Sequence, residues 1–579
     1  MKNLAEIEKK LKKLIIPGLI FLIIQLTLYL FYPNWFTTNE NTIDPWIYWG
    51  AGDNLQLSYS NDFARTYYLQ RYVVILPQFI FQTLLGPYFG TLGVGIFWSL
   101  VIFFFIWRIC LLIGNLQLAI FVYLVFVADR ALLGAIGMSY TMGATVGLGL
   151  GFLYFAMQLI LFQKNITKKS FQHKSIIAGV LLGLLANAYL THAIILSVAA
   201  LMTFGFSKPL WLQFKQLVIW CFSGFLVISL FFQIVYKMIS NDSSNLIFSQ
   251  LSFGLDIATN KNPWNGGGFF DFWTRGIFEP VAFYWISLIL ISILISLYNF
   301  THRKKLTSSL VPQLSIFATS VIFVYFIPTL FYLNPIGYSW GASSLYLVEV
   351  LALIIFGLNF QNLGKKNLTQ FVGLIVFFFI LVGSKQDFFQ DFVRDVSKTV
   401  FLSLFLVSFC FLVLNLILFN KSNRYVSFQL ILISLVLISF SFLRNSTEYG
   451  QSEGGMQDSN PRKYYETISS DRKILLALSN AKQPEFRIWL TPGNKVPLVS
   501  SQLYAYSLIS RTALKPDCDQ VNWARGTSSL IVSFNQSEDL EQISKIYINP
   551  CGFELLPFKI PRQLVKEFDK QYVVVGYLN

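Results

Sequence analysis

Asn41-Thr-Ile-Asp44-Pro-Trp-Ile-Tyr48-Trp-Gly-Ala-Gly-Asp53, followed by Asp62-Phe-Ala-Arg65-Thr-Tyr-Tyr-Leu-Gln-Arg71, is the stretch that best indicates how this chain is built and what it does. It places three Asp and two Arg among Trp and Tyr residues, directly after the first apolar segment of the chain. Ionisable side chains at a membrane surface are costly to hold, so a cluster of them favours a functional site. The alternative is an ordinary hydrated loop.

The composition indicates a membrane protein. Of 579 residues, 55% are hydrophobic and only 13% are charged, against about 25% charged residues in a soluble domain. A basic N-terminus precedes apolar residues 14–32, which are long enough to span and lack a small-residue cleavage site, so we expect an uncleaved anchor. The net charge of +15 lies mostly in short loops and forms no basic face for nucleic acid.

The apolar segments predict an all-α polytopic membrane domain over residues 1–443. Thirteen spans are expected, at 14–32, 89–110, 116–134, 141–162, 174–188, 190–206, 216–236, 281–299, 312–333, 343–360, 369–384, 399–419 and 425–443. The pair at 174–206 could instead form one long helix. Residues 73–85, interrupted by Pro77, are too short to cross a core of about 30 Å. They are expected to form a helix in the outer interface, and the alternative is a short tilted span.

The charges of the loops predict the orientation. With a cytoplasmic N-terminus, all the inner loops are basic, as in residues 163–174 and 301–305, and most acidic residues fall outside. This pattern follows the positive-inside rule and predicts a multi-pass protein of the plasma membrane, in the cell envelope. The outer loop 33–88 then carries the candidate site, and everything after residue 443 is extracytoplasmic.

Residues 444–579 are predicted to form a small α/β extracytoplasmic domain. Strands are expected at 486–490, 529–534, 545–548 and 572–577, and helices at Asp471–Ala481 and Ser537–Lys545. This region has no Gly-rich phosphate loop, no nucleophile elbow and no His, so we expect it to cover the membrane cavity or bind an extended acceptor. Cys518 and Cys551 are expected to form a disulfide in the oxidising outer compartment; two free thiols are the alternative.

Further candidate residues come from other outer segments. We expect substrate contacts from the group Tyr48, Asp53, Asp62, Arg65, Arg71, Arg130, His192 and Arg275, and Asp44 and Asp129 add further carboxylates. Carboxylates can act as a general base or hold a divalent cation, and Arg suits phosphate through its planar fork.

Several of these residues have structural alternatives. Asp129-Arg130 could be an exposed turn pair, and His192 could be a helix-end histidine bonded to a carbonyl. The Gly52-Asp53-Asn54 composition is typical of an exposed turn, and Asp62 could cap a helix. Glu349 lies within a span, where it could line a cavity.

The first 160 residues resemble the GT-C glycosyltransferases. The motifs are Asp44-Pro-x-x-Tyr48-x-x-x-Gly52, Tyr67-x-x-x-Arg71 and Leu84-Leu-Gly-Pro87. They are similar to those of the family that includes protein O-mannosyltransferases and the aminoarabinose transferases of lipid A (glycosyltransferase family 39). The resemblance implies a dozen or more spans with a C-terminal extracytoplasmic domain, and catalytic acids in the first two outer loops, where Asp44 and Asp129 stand. The chain departs from the family pattern at two places. Pro45 stands where a second acidic residue is frequent, and Leu76-Pro77 stands where the family often has Pro-Pro-Leu.

The expected activity is that of a hexosyl- or pentosyltransferase. It would use a polyprenyl-phosphate-linked sugar at the outer face and a lipid, glycan or protein acceptor. Asp44 would be the base, and Arg65, Arg71 and Arg275 would contact phosphate. Mg²⁺ or Mn²⁺ between Asp44 and Asp129 is compatible with this scheme but is not required by it. A transporter or flippase for lipid-linked saccharides is the alternative from another class, although the chain shows no matched halves. A polysaccharide polymerase or ligase is a further alternative among the enzymes.

Overall fold

The computed structural model describes six helices, six strands and a set of residues between them. These other described residues are 23, 25, 26, 37, 55, 70, 71, 86, 122, 136, 137, 167, 245, 246, 252, 314, 317–321, 324, 346–348, 350, 351, 354, 355, 461, 462, 465, 466 and 469.

Five of the six described helices match apolar segments predicted to be helical, and the first, within the predicted outer loop, was not predicted. The helices are α1 (Asp44–Asp53), α2 (Tyr72–Leu85), α3 (Pro87–Leu112), α4 (Thr141–Leu161), α5 (Lys168–Phe206) and α6 (Trp211–Ser240). In the described part of the chain, α3, α4, α5 and α6 are long and apolar enough to cross a membrane, which confirms the spans predicted there. The described residues within 312–333 and 343–360 are also helical. The spans predicted at 281–299, 369–384, 399–419 and 425–443 lie outside the described residues, so the total of thirteen stays a prediction.

Helix α1 is packed inside the protein. Pro45 stands in its first turn, where the missing backbone N–H of proline costs nothing. Ile47, Tyr48, Trp49 and Ala51 all have at most 1% of their surface exposed. Burial on every side, rather than along one stripe, is typical of a core helix. The candidate stretch therefore begins as a buried helix and not as a hydrated loop.

Helices α2 and α3 are joined by one residue and approach each other closely. Gly86 joins them with φ of +82°, a left-handed conformation that glycine adopts without a Cβ clash. Its N–H donates to the carbonyl of Gln82 at 2.8 Å, and a Cβ on Gly90 would lie 2.6 Å from the Cα of Gln82. The short helix predicted at 73–85 is therefore confirmed, including Pro77 inside it.

Helix α4 occupies the centre of the described bundle. Within its apolar window 94% of the residues are buried, against 11% for α6, so α4 is surrounded by protein whereas α6 lies at the edge. Gly143, Gly147 and Gly151 of α4 face the side chains of Trp98, Val101 and Phe105 of α3. Both series ascend in sequence, so α3 and α4 run parallel, as two spans that cross in the same direction should.

Helix α5 is two helices joined at Tyr189, where φ is −160° and ψ is 99°. This extended residue confirms the break that the two spans at 174–188 and 190–206 require. The first half packs closely on α6, since a Cβ on Gly179 would meet the carbonyl of Cys221 and one on Gly224 would meet the carbonyl of Ile176. Only glycine leaves room for backbones this close.

The C-terminal region contains a six-stranded sheet with the order β2-β1-β3-β4-β6-β5. Its strands are β1 (Phe486–Pro492), β2 (Ala513–Pro516), β3 (Ser528–Phe534), β4 (Lys545–Ile548), β5 (Val565–Phe568) and β6 (Tyr572–Gly576). Strands β1 and β2 pair in parallel, and the other neighbours pair antiparallel. The four predicted strands are confirmed. Cys518, Cys551 and the predicted helices lie outside the described residues, apart from Lys545, which begins β4.

Candidate functional site

One end of the described bundle is rich in buried aromatic side chains. Here α1 and the start of α2 meet the break in α5 and the last turns of α6. Tyr48, Trp49, Tyr72, Tyr236 and Tyr465 are the largest side chains that the bundle buries completely. Tyr72 stacks on Phe232 of α6 and meets Tyr236 edge-on. We call this group, together with Arg71, Tyr189 and His192, the aromatic end.

Arg71 lies at the N-terminus of α2 and is fixed by two tyrosines. Its Nη1 donates to the hydroxyl of Tyr48 at 2.7 Å. Its guanidinium carbon lies 5.9 Å from the ring centroid of Tyr48 and 5.2 Å from that of Tyr189, within the range of cation–π attraction. A guanidinium presents five N–H donors in a planar fork that matches paired phosphate oxygens. The N-terminus of α2 adds partial positive charge at the same place.

Asn187 holds the chain around Arg71 in position. Its Nδ2 donates to the carbonyl of Gln70 at 2.8 Å, and its Oδ1 accepts from the N–H of Val73 at 3.0 Å. One buried amide thus satisfies a donor and an acceptor on either side of Arg71. Since Asn187 lies just before the break at Tyr189, the break in α5 and the start of α2 form one unit.

His192 belongs to the same group through Tyr189. The two rings stack at 4.5 Å, and His192 is fully buried. Arg71, Tyr189 and His192 therefore form a layer of stacked planar groups. His192 thus lies in the same group as Arg71, and its contact with substrate stays a prediction.

A set of hydrogen bonds fastens α1 to the pair α2–α3. The indole N–H of Trp49 donates to the hydroxyl of Thr91 at 3.1 Å, and Gln82 donates to the carbonyl of Trp49 at 3.2 Å. The hydroxyl of Thr91 in turn donates to the carbonyl of Pro87. These residues were not predicted. The signal for them was the pair Gln78 and Gln82, four residues apart in an otherwise apolar helix.

Residues from the region after the last predicted span cover α1. The ring of Tyr465 lies 5.6 Å from that of Trp49 and 5.9 Å from that of Tyr88. The hydroxyl of Ser469 donates to Oδ1 of Asp53 at 3.2 Å. Tyr465 and Ser469 thus lie at the same end of the bundle as α1.

The interpretation of Asp53 as an exposed turn is wrong. Asp53 is the last residue of α1, is half-buried and accepts the hydrogen bond of Ser469. Gly52, the residue before Asp53, packs closely on Gln78, because a Cβ on Gly52 would lie 2.5 Å from that side chain. The glycine thus serves close packing between α1 and α2 and not a flexible turn.

The structure brings together part of the predicted site. Tyr48, Arg71 and His192 lie at the aromatic end, and Asp44 and Asp53 are the first and last residues of α1. The remaining predicted residues, Asp62, Arg65, Asp129, Arg130, Arg275 and Glu349, are outside the described part of the chain. Within the part that is described, no three His, Cys, Asp or Glu side chains lie close enough to hold a metal ion.

The fold is that of a known membrane glycosyltransferase. The chain is similar to the crystal structure of ArnT from Cupriavidus metallidurans bound to undecaprenyl phosphate, with a TM-score of 0.55 and 12% sequence identity over 96% of this chain and 97% of that one. The apo state of the same protein gives a TM-score of 0.53. The archaeal oligosaccharyltransferase AglB from Archaeoglobus fulgidus, solved with an inhibitory peptide and a dolichol-phosphate, gives 0.41 with 14% identity over 80% of this chain and 58% of that one.

No protein-family model matches the chain, and no curated protein is similar to it in sequence. The likeness in fold to ArnT nevertheless extends over nearly the whole of both chains, and it agrees with the resemblance that the motifs of the first loop indicate.

Proposed function

We propose that this chain is an integral membrane glycosyltransferase that takes a sugar from a polyprenyl-phosphate donor at the outer face of the membrane. The observation that carries the proposal is Arg71, fixed between Tyr48 and Tyr189 at a helix N-terminus, in a chain with the fold of ArnT. Because ArnT was crystallised with undecaprenyl phosphate, a lipid phosphate is the ligand we assign to Arg71.

The proposed reaction is a direct displacement at the anomeric carbon. The acceptor hydroxyl oxygen forms the new bond to that carbon, and the bond from carbon to the phosphate oxygen breaks. The electron pair leaves with the polyprenyl phosphate, whose developing charge Arg71 stabilises. The hydroxyl proton passes to a carboxylate, which we assign to Asp44 at the start of α1. Asp129, Arg65, Arg130 and Arg275 remain proposed contributors.

A divalent cation is a separate part of the proposal. Carboxylate oxygens are the ligands that Mg²⁺ and Mn²⁺ prefer, and Asp44 and Asp129 are the pair we assign to such an ion. If it is required, chelation with EDTA lowers transfer and added Mg²⁺ or Mn²⁺ restores it. If transfer is unchanged in EDTA, no exchangeable cation takes part.

The test is incubation of the purified full-length protein with radiolabelled polyprenyl-phosphate sugars and candidate lipid, glycan or protein acceptors. Release of free polyprenyl phosphate together with labelled acceptor is expected for at least one pair. A flippase would instead carry the intact donor across a proteoliposome membrane without releasing lipid phosphate. That outcome would replace the enzyme with the transporter.

A further inference from the structure

A cavity lies at the opposite end of the helices from Arg71. It has a volume of about 540 Å³ and is formed by the C-terminal turns of α3 and α4 and the N-terminal turns of α5. Lys169 precedes Asn187 by eighteen residues on the first half of α5. At a rise of 1.5 Å per residue the two ends are about 27 Å apart, close to the thickness of a bilayer core.

The cavity is lined by basic side chains. Arg108 comes from α3, and Lys169, His173 and Lys174 come from α5. The residues that line it include no carboxylate, and Arg108 and Lys174 lie close enough for their charges to repel. Like charges gathered on one concave wall are unfavourable unless an anion neutralises them.

One of these basic side chains, Arg108, is held in place by α4. The Nη2 of Arg108 donates to the hydroxyl of Tyr154 at 2.6 Å and its Nε at 3.1 Å, and its guanidinium also lies 5.2 Å from the ring centroid of Tyr154. Tyr154 accepts both bonds and is buried. The guanidinium is therefore fixed to the wall of the cavity by a neutral group that leaves its positive charge uncompensated.

Two further features suit a bound phosphate. Gln158 lines the cavity with only 7% of its surface exposed, and its Oε1 has no hydrogen-bond partner among the described residues. Rotation of this amide presents its NH₂ group to the cavity instead, as a donor to an anion. The N-terminus of α5, where Thr167 accepts from the N–H of Ser170, also opens here and adds partial positive charge.

We propose that this basic cavity binds the phosphate group of an anionic membrane lipid. Basic pockets between membrane helices near the surface are suited to such headgroups, and a volume of this size accommodates one. The positive-inside rule accounts for lysines in the loop before α5, but it requires neither an arginine fixed on α3 nor an unpartnered buried amide facing the same space.

The test uses the full-length protein in phosphatidylcholine nanodiscs, with phosphatidylglycerol carrying a fluorescent acyl chain as the probe. Lys169→Gln and Lys174→Gln are each expected to weaken binding about fivefold, as for the loss of one surface cation near an anionic headgroup. Lys169→Arg should bind as the unaltered protein does. Lys168→Gln is the matched control, because Lys168 is exposed on the same turn and does not line the cavity; it should change binding less than twofold.

Two outcomes would overturn the proposal. If Lys168→Gln weakens binding as much as Lys169→Gln, the attraction belongs to the whole basic surface and not to the cavity. If inorganic phosphate displaces the probe at the same concentration as unlabelled phosphatidylglycerol, the ligand is free phosphate and not a lipid. Displacement by unlabelled phosphatidylglycerol but not by phosphatidylcholine is the result we expect.

Discussion

The two ends of the helix bundle both hold a fixed arginine, but they surround it differently. At the aromatic end, Arg71 lies between the rings of Tyr48 and Tyr189, and Asn187 ties down the chain on either side of it. At the basic cavity, Arg108 is held by Tyr154 and the ring of Trp107, and it faces lysines. The first arrangement fixes one cation precisely, whereas the second gathers several.

This difference separates two physical tasks. A reaction needs a charge at a defined position, because a small displacement of a catalytic group costs much of the rate. Retention of a lipid headgroup needs only a favourable potential, which several flexible lysines supply. The comparison therefore predicts that changes at the aromatic end alter turnover, and that changes at the basic cavity alter lipid binding.

The largest effect is expected at the start of α1. Asp44→Asn removes the proposed base but keeps the size of the side chain, so turnover should fall about 10²-fold or more, measured as release of polyprenyl phosphate. Asp53→Asn, at the other end of the same helix, is the matched control and should retain transfer within a few-fold. If Asp44→Asn is nearly normal while Asp129→Asn abolishes transfer, the base belongs to the second outer loop.

The next largest effect is expected at the close contact between α5 and α6. Gly224→Val places a branched side chain against the carbonyl of Ile176, and overpacking of this kind costs about 1–3 kcal/mol. The thermal unfolding midpoint in detergent should fall. Ser223→Val, one residue earlier, replaces a hydroxyl bonded within its own helix and should change stability by only about 0.5 kcal/mol. Equal midpoints for both variants would show that α5 and α6 are less closely packed than described.

The smallest effect concerns the segment that covers α1. Ser469→Ala removes the hydrogen bond to Asp53, which is worth about 1 kcal/mol. Backbone hydrogen exchange around residues 465–469 should therefore accelerate about fivefold. Glu466→Gln breaks only the exposed ion pair with Arg462, worth about 0.5 kcal/mol or less, and is the control. Faster exchange in the control than in Ser469→Ala would contradict the docking of this segment.

Local features of the sequence predicted much of the fold. The apolar run at residues 73–85 predicted α2, and the polar residues around Tyr189 predicted the break in α5. Each of these features depends on residues that are neighbours in the sequence. The pairing of Asn187 with Gln70 and Val73 joins segments more than a hundred residues apart, and no local pattern specifies it. Asp53 was misjudged for the same reason, since its glycine neighbour and its partner Ser469 have roles that only the packing of α1 reveals.

The most direct test of the account is the affinity for undecaprenyl phosphate, measured without sugar or acceptor in membranes that contain phosphatidylglycerol. We predict that Arg71→Gln weakens this affinity at least about tenfold, which corresponds to about 1.4 kcal/mol and to the loss of a charge-assisted hydrogen bond. Lys169→Gln, at the basic cavity, should leave it within about twofold. Undiminished affinity in Arg71→Gln, or an equal loss in both variants, would contradict the assignment of the lipid phosphate to the aromatic end.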